Sequence, residues 1–254
     1  MAKIICKANG LEERYEKAKK NMTLGGFGVF FTVIAALFLI SQAAKASGVA
    51  LALWLIPTLG VVFLFAYCMS LVTGTENLEI LRNGMEGEQS TQRLIEMLPE
   101  GYRGYCNVVV PFEGKESELD MVVTGPTGVF IIETKHLNGT VCGNYDQEHW
   151  QLHKVGRQGG QYSKDLYSPV KQVRTHTFRL AGYLRSRGCG TFVKDAVYFS
   201  SSGTYLELTG DNSRTPAFSC NTDGGMGLIR FITGQPNQIP APVLKKINAT
   251  LDNL

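Results

Sequence analysis

Charge is spread unevenly along this chain of 254 residues, and that unevenness limits its possible folds more than any other feature. Residues 22–73 hold one side chain charged at neutral pH, Lys45. Leu24 to Ala44 is a run of 21 residues without a charge. At about 1.5 Å rise per residue, a helix of that length spans roughly 30 Å, the thickness of a hydrocarbon core. Val49 to Val72 is a second uncharged run, of 24 residues, interrupted by Pro57. Only Lys45, Ala46, Ser47 and Gly48 separate the two, too few to carry a domain across, so the pair predicts a two-helix transmembrane hairpin embedded in a lipid bilayer.

Basic flanks predict its orientation, because Lys and Arg are retained on the cytoplasmic side. The leader 1–21 carries Lys3, Lys7, Arg14, Lys17, Lys19 and Lys20, whereas the turn carries only Lys45. The expectation is a multi-pass protein of the inner cell membrane with both termini cytoplasmic. Gly25, Gly26 and Gly28 would let the helices approach closely. A cleaved signal peptide ending at Ala44-Lys45-Ala46 is the weaker account, because its apolar region would exceed the usual length and a second span follows. Two core helices of a soluble domain would be shorter and less uniformly apolar. The predicted organisation is therefore a basic leader (1–21), a hairpin (22–73) and one further domain (74–254).

Composition excludes other classes. With 44% hydrophobic and 19% charged residues, 28 Gly and 9 Pro, the chain is neither disordered nor fibrous. Its six cysteines lie no closer than 31 residues apart, so no CxxC metal or redox pair exists. They are expected to be reduced and mostly buried.

Residues 74–254 carry 18 basic and 19 acidic groups, which divide along the sequence. Residues 74–150 hold 5 basic and 13 acidic groups, and residues 151–194 hold 9 and 1. A basic segment is often only a solvated face, but beside an acidic one it also suits a protein that grips a phosphate backbone and holds a metal ion. Apolar spacing predicts a helix over 86–98, strands over 107–112, 118–124 and 129–135, and a short strand over 150–153. A basic amphipathic helix over 169–185, strands over 196–200 and 204–208 and a helix over 226–232 complete the pattern. Val129 to Lys135 is apolar on both faces, as in a central covered strand. Mixed elements around such a strand predict an α/β layer fold.

The spacing of Asp120 and Glu133-Thr134-Lys135 has a physical logic. Two carboxylates on neighbouring strands can share one Mg²⁺ with its waters, while a lysine neutralises a scissile phosphate or positions the attacking water. A carboxylate on a covered strand is costly unless paired or metal-bound, so Lys135 is the natural companion of Glu133. Glu88 would add a third acid from its helix. Gln172 and His176, four apart on one helix face, would orient a water or touch a phosphate. These residues also admit a purely structural ion-pair reading.

Several separated blocks occur in order: Gly84-Met85-Glu86-Gly87-Glu88, Glu118-Leu119-Asp120, Gly125-Pro126-Thr127-Gly128-Val129-Phe130, Glu133-Thr134-Lys135 with Gly139, Trp150, and Ser168-Pro169-Val170-Lys171-Gln172 followed by His176. Together these blocks resemble a known family, the nuclease-related domain (NERD) of the PD-(D/E)XK nuclease superfamily. They cover about residues 80–210. Met121 and Ser168 stand where members often carry His and Asn. The resemblance implies a restriction-endonuclease-like mixed sheet flanked by helices. It also implies Asp120 and Glu133 as metal ligands, Lys135 as catalytic lysine, Glu88 as the helical acid and Gln172 as supporting residue.

The resulting expectation is a membrane-anchored, Mg²⁺- or Mn²⁺-dependent nuclease acting on nucleic acid, DNA by preference, at the cytoplasmic face. Lys171, Arg174, His176 and Arg179 would hold the substrate, without a small-molecule cofactor and with homo-oligomerisation left open. The alternative is a catalytically silent module that binds nucleic acid or a protein at the membrane. Other motifs are weaker. His149 and His153 have zinc-ligand spacing but lack the glutamate of HExxH. Gly156, Gly159 and Gly160 lack a P-loop lysine, and Ser200 to Gly203 lacks a G-x-S-x-G context.

Overall fold

The computed structural model describes residues 1–7, 10–47, 51–156, 159–235 and 239–254. In chain order the elements are β1 (Lys3–Cys6), α1 (Gly10–Ser47), α2 (Leu51–Glu96), β2 (Arg103–Phe112), β3 (Lys115–Gly125), β4 (Gly128–Lys135), β5 (Gly139–Asn144), β6 (His149–Val155) and β7 (Gln161–Tyr167). They continue with α3 (Pro169–Ser186), β8 (Val193–Phe199), β9 (Thr204–Thr209), β10 (Ala217–Ser219), α4 (Cys220–Asp223), α5 (Met226–Thr233) and α6 (Ala241–Asp252). Two compact units result, Gly10–Arg82 and the combination of Met1–Asn9 with Asn83–Leu254.

The first unit is α1 with the leading part of α2. Its close approach is made at Gly74, where an added Cβ would lie 3.1 Å from the Met22 side chain. Gly25 and Gly28 have nothing within 4 Å. Among the described residues no helix is long and apolar enough to cross a membrane. This overturns the expected hairpin over 22–73 and the multi-pass inner-membrane localisation with cytoplasmic termini that was built on it. Both helices extend through charged sequence. α1 starts inside the leader and includes Glu12, Glu13, Arg14 and Lys17, and α2 continues through Glu76, Glu79, Arg82 and Arg93. The expected turn at Lys45 to Gly48 lies partly outside the described residues.

The second unit is a mixed α/β structure with sheets flanked by helices. Its larger sheet has the order β1-β2-β3-β4-β8-β10, and a smaller sheet has the order β7-β6-β5-β9. β2, β3 and β4 form an antiparallel meander, whereas β8 joins β4 in parallel. The Pro126-Thr127 turn closes the β3–β4 hairpin at the Gly125–Gly128 pair. β4 is central, as its two-sided apolar pattern predicts. Val129 and Ile131 join one core with Val173 and Leu180 of α3, Ile247 and Leu251 of α6 and Trp150 of the smaller sheet. Phe130 and Ile132 join the opposite core with Leu94, Ile95 and Leu98, and with Leu228 and Ile232 of α5.

The leader contributes β1, which pairs in parallel with β2 through Lys3↔Arg103 to Cys6↔Cys106. Four residues are too few to show a periodicity, so this strand was not legible in the sequence. Cys6 and Cys106 are joined in a disulfide, correcting the expectation of reduced cysteines throughout. Of the free cysteines Cys189 is buried, Cys68 is exposed, and Cys142 and Cys220 are half-buried. The pairing unites residues 100 apart in sequence, which no local spacing reveals.

If β4 is the strand on which both cores rest, Ile131→Ala should cost about 2–5 kcal/mol of unfolding free energy. Urea denaturation measures this, and a loss well under 1 kcal/mol would contradict the two-sided burial.

Candidate active site

The β2–β3 pair contains one irregularity, and it falls on a candidate ligand. Register partners run through Cys106↔Met121 and resume at Val108↔Leu119, leaving Asn107 and Asp120 opposite each other without a ladder pair. Strand side chains alternate faces. Here Tyr105 and Val108 share one core, as do Leu119 and Val122, while Cys106 and Met121 face the other. Both strands therefore change phase at this pair. Asn107 absorbs the change with a φ of 54°, a left-handed conformation that Asn adopts more readily than most residues.

The β3–β4 ladder ends at Met121↔Ile132. Beyond it the Thr134 backbone N–H donates to Asp120 Oδ2 at 2.8 Å, where a regular ladder would pair it with the β3 backbone. The carboxylate thus takes the place of a main-chain acceptor and is tied to the end of β4.

Glu133 sits on this strand end with its side chain 1% exposed. Lys135 Nζ donates to Glu133 Oε1 at 2.7 Å and to Gln172 Oε1 at 3.0 Å. His176 Nδ1 lies 3.2 Å from Glu133 Oε2, within ion-pair reach but off line for a hydrogen bond. On the other face of β4, Thr134 Oγ1 lies 2.9 Å from Thr91 Oγ1 of α2, and His136 Nδ1 lies 3.0 Å from Ser200 Oγ. α2 reaches this position because Gly87 has no side chain. A Cβ there would lie 2.8 Å from His136 Cβ.

Burial pushes the Asp120 carboxyl up to about 8, reinforced by the negative charge of Glu133 and opposed by Lys135 and the Thr134 N–H. Glu88 adds a smaller upward push, which places this α2 acid within electrostatic range of Asp120. Burial alone would raise Glu133 as well, but Lys135 and His176 outweigh it and hold this carboxyl below its ordinary value. The two carboxyls are therefore pushed in opposite directions, Asp120 up by burial and Glu133 down by its cationic neighbours.

Glu88, Asp120, Glu133, Lys135, Gln172 and His176 are brought together by these contacts. Two other basic residues of α3 have their partners elsewhere. Arg174 Nε donates to Thr215 Oγ1 at 2.9 Å, and Arg179 donates to the Glu116 carbonyl at 3.3 Å and to Ser117 Oγ. Lys171 is half-buried in the first turn of α3. His149 and His153 stand on a strand and not a helix, each with its own partner, Asp165 and Ser163. The residues that sequence reasoning did not place at the site are Asn107, Thr91, His136 and Ser200. An isolated Asn in an apolar strand was the available cue for the first, and the others depend on tertiary packing alone.

Among the described residues no group of three or more His, Cys, Asp or Glu side chains is arranged to hold a metal ion. Asp120 and Glu133 nonetheless fit a hard divalent cation. Burial first, and the Glu133 charge second, disfavour a bare Asp120 carboxylate, which a cation would offset, and Glu133 Oε2 is a buried oxygen without an aligned hydrogen bond. Mg²⁺ commonly binds through one or two carboxylates and keeps several waters.

Two acids and a lysine lie where the β3–β4 ladder stops, and sequence comparison bears on the region that carries them. Residues 83–200 match the family model of the nuclease-related domain (NERD). An uncharacterized protein of Bacillus anthracis is 35% identical over 93 residues, covering 36% of this chain and 43% of the relative. The chain therefore spans less than half the length of this curated relative. No solved structure matches.

The Asp120 shift predicts a pH effect of definite sign. Between about pH 4 and 8 the native state retains a proton that the unfolded chain has released, so this group's contribution to stability declines as pH rises through that window. Asp120→Asn, which preserves an acceptor for Thr134, should gain on the wild type across that window in EDTA. The total gain should not exceed about 6 kcal/mol, since the shift spans about four pKa units at about 1.4 kcal/mol each. Urea midpoints measured at several pH values test this, and a pH-independent difference would contradict the shift.

Proposed function

We propose that the 83–200 region is a metal-dependent nuclease of restriction-endonuclease-like fold that hydrolyses phosphodiester bonds in nucleic acid, DNA by preference. The observation that carries the reading is the meeting of Asp120, Glu133 and Lys135 where the β3–β4 ladder stops, with the Thr134 N–H 2.8 Å from Asp120 Oδ2 and Lys135 Nζ 2.7 Å from Glu133 Oε1. The match to the nuclease-related domain supports it independently.

Asp120 and Glu133 would hold Mg²⁺ or Mn²⁺. The chemistry such an ion supplies is a more acidic bound water and neutralisation of phosphate charge. The rest falls to the chain. Thr134 N–H holds Asp120 in place, and Gln172 limits the directions open to the Lys135 ammonium. Lys135 is 21% exposed against 1% for Glu133, so its charge is the part of the ion pair that a phosphate oxygen meets. A cation held ready at the developing negative charge lowers the barrier without reorganising during the reaction. Glu88 adds negative charge that favours cation binding.

A catalytically silent NERD module is the second reading. Its support is that the Glu133–Lys135 pair is satisfied internally, as a structural ion pair would be. Assays with the full chain on single-stranded DNA, duplex DNA and RNA, in Mg²⁺ or EDTA, separate the two. Cleavage should require the metal, and Glu133→Gln or Lys135→Ala should reduce its rate by about 100-fold or more with the fold retained. Wild-type rates in either variant would contradict these roles. Metal-independent binding without cleavage would favour the silent module.

A further inference from the structure

α3 and β4 meet through matched pairs of residues. Positions i and i+4 of a helix lie about 6 Å apart along its axis, and positions i and i+2 of a strand about 6.6 Å apart. Gln172 and His176 form such a helical pair, and Lys135 and Glu133 such a strand pair. Their contacts run in order, Gln172 Oε1 with Lys135 Nζ at 3.0 Å and His176 Nδ1 with Glu133 Oε2 at 3.2 Å. One turn of α3 thus faces consecutive same-side residues of β4, one partner to each.

The His176 side chain is 13% exposed and directed at Glu133, which suits it poorly to meeting a polyanion in solvent. The adjoining Thr177 fixes this turn from below, its Oγ1 lying 2.9 Å from Asp195 Oδ2. Lys135 already holds Glu133 Oε1, so Oε2 is the oxygen whose direction is left to be set. The contact is off line for a hydrogen bond as it stands, and turning an imidazole with its proton on Nδ1 would align a donor with that oxygen.

We infer that His176 is a positioning residue that acts through Glu133, holding Oε2 so that the carboxylate presents one orientation to a divalent cation, and that it does not bind nucleic acid. The inference rests on the metal-dependent reading above. Removing a group that orients a ligand typically weakens metal binding by about 10–100-fold.

The test is a Mn²⁺ titration of the full chain without nucleic acid, followed by electron paramagnetic resonance, for wild type, His176→Ala, His176→Gln and His176→Asn. His176→Ala should bind Mn²⁺ about 10–100-fold more weakly. His176→Asn, whose amide N–H stands near the place of Nδ1, should recover most of that loss. His176→Gln carries its amide farther out and should resemble alanine, and it serves as the comparison if alanine unfolds. Affinity for a labelled oligonucleotide in EDTA should be the same in every folded variant.

Unchanged Mn²⁺ affinity in His176→Ala or His176→Gln would overturn the inference. So would equal losses in Gln and Asn, absence of Mn²⁺ binding by the wild type, or a loss of oligonucleotide affinity in EDTA. Mn²⁺ binding with the predicted variant order but no cleavage would defeat the nuclease reading and leave the role of His176 standing.

Discussion

The hydrogen bond from the Thr134 N–H to the Asp120 carboxylate is the contact on which the arrangement depends. It occurs where the β3–β4 ladder stops, so a side chain performs the work of the main chain. That substitution brings Asp120 into the field of Glu133 in surroundings that oppose two negative charges. The phase change at Asn107 and Asp120 makes it possible, because an unbroken alternation would assign each side chain along β3 to the face its position dictates.

Each remaining part of the site is supported from a different layer. The cores on the two faces of β4 fix the strand whose last residues are Glu133, Thr134 and Lys135. α3 lies over one face and supplies Gln172 and His176. α2 lies over the other, drawn in by Gly87, and supplies Glu88. A buried carboxylate such as Glu133 is tolerable only with compensating charge, and Lys135 with His176 provides it. The same compensation makes the pair resemble a structural feature, which is why the charge state of Asp120 is more informative than the ion pair alone.

Much of this was legible in sequence because it depends on local periodicity. The two-sided apolar run of β4, the Gly125-Pro126-Thr127-Gly128 hairpin and the amphipathic α3 all carry patterns confined to a few residues. What escaped depends on contacts between distant segments or on runs too short to show a pattern. β1 has four residues, the Cys6–Cys106 bond joins strands 100 residues apart in sequence, and the left-handed backbone at Asn107 is marked only by a residue type that tolerates it. The hairpin expectation erred for a related reason. Windows of uncharged residues were read as whole elements, whereas α1 and α2 join those windows to charged sequence at Gly10–Lys20 and at Glu76–Arg93. Spacing puts Gln172 and His176 on one face of α3, but spacing alone does not identify what that face meets.

The most direct test of the central claim is anomalous diffraction from crystals of the full chain soaked in Mn²⁺. Two buried carboxyl groups that meet where the β3–β4 ladder stops should take up a divalent ion between them, so a single anomalous peak in contact with both Asp120 and Glu133 is expected. Ordered crystals with no peak there, or with Asp120 and Glu133 directed into separate environments, would contradict it.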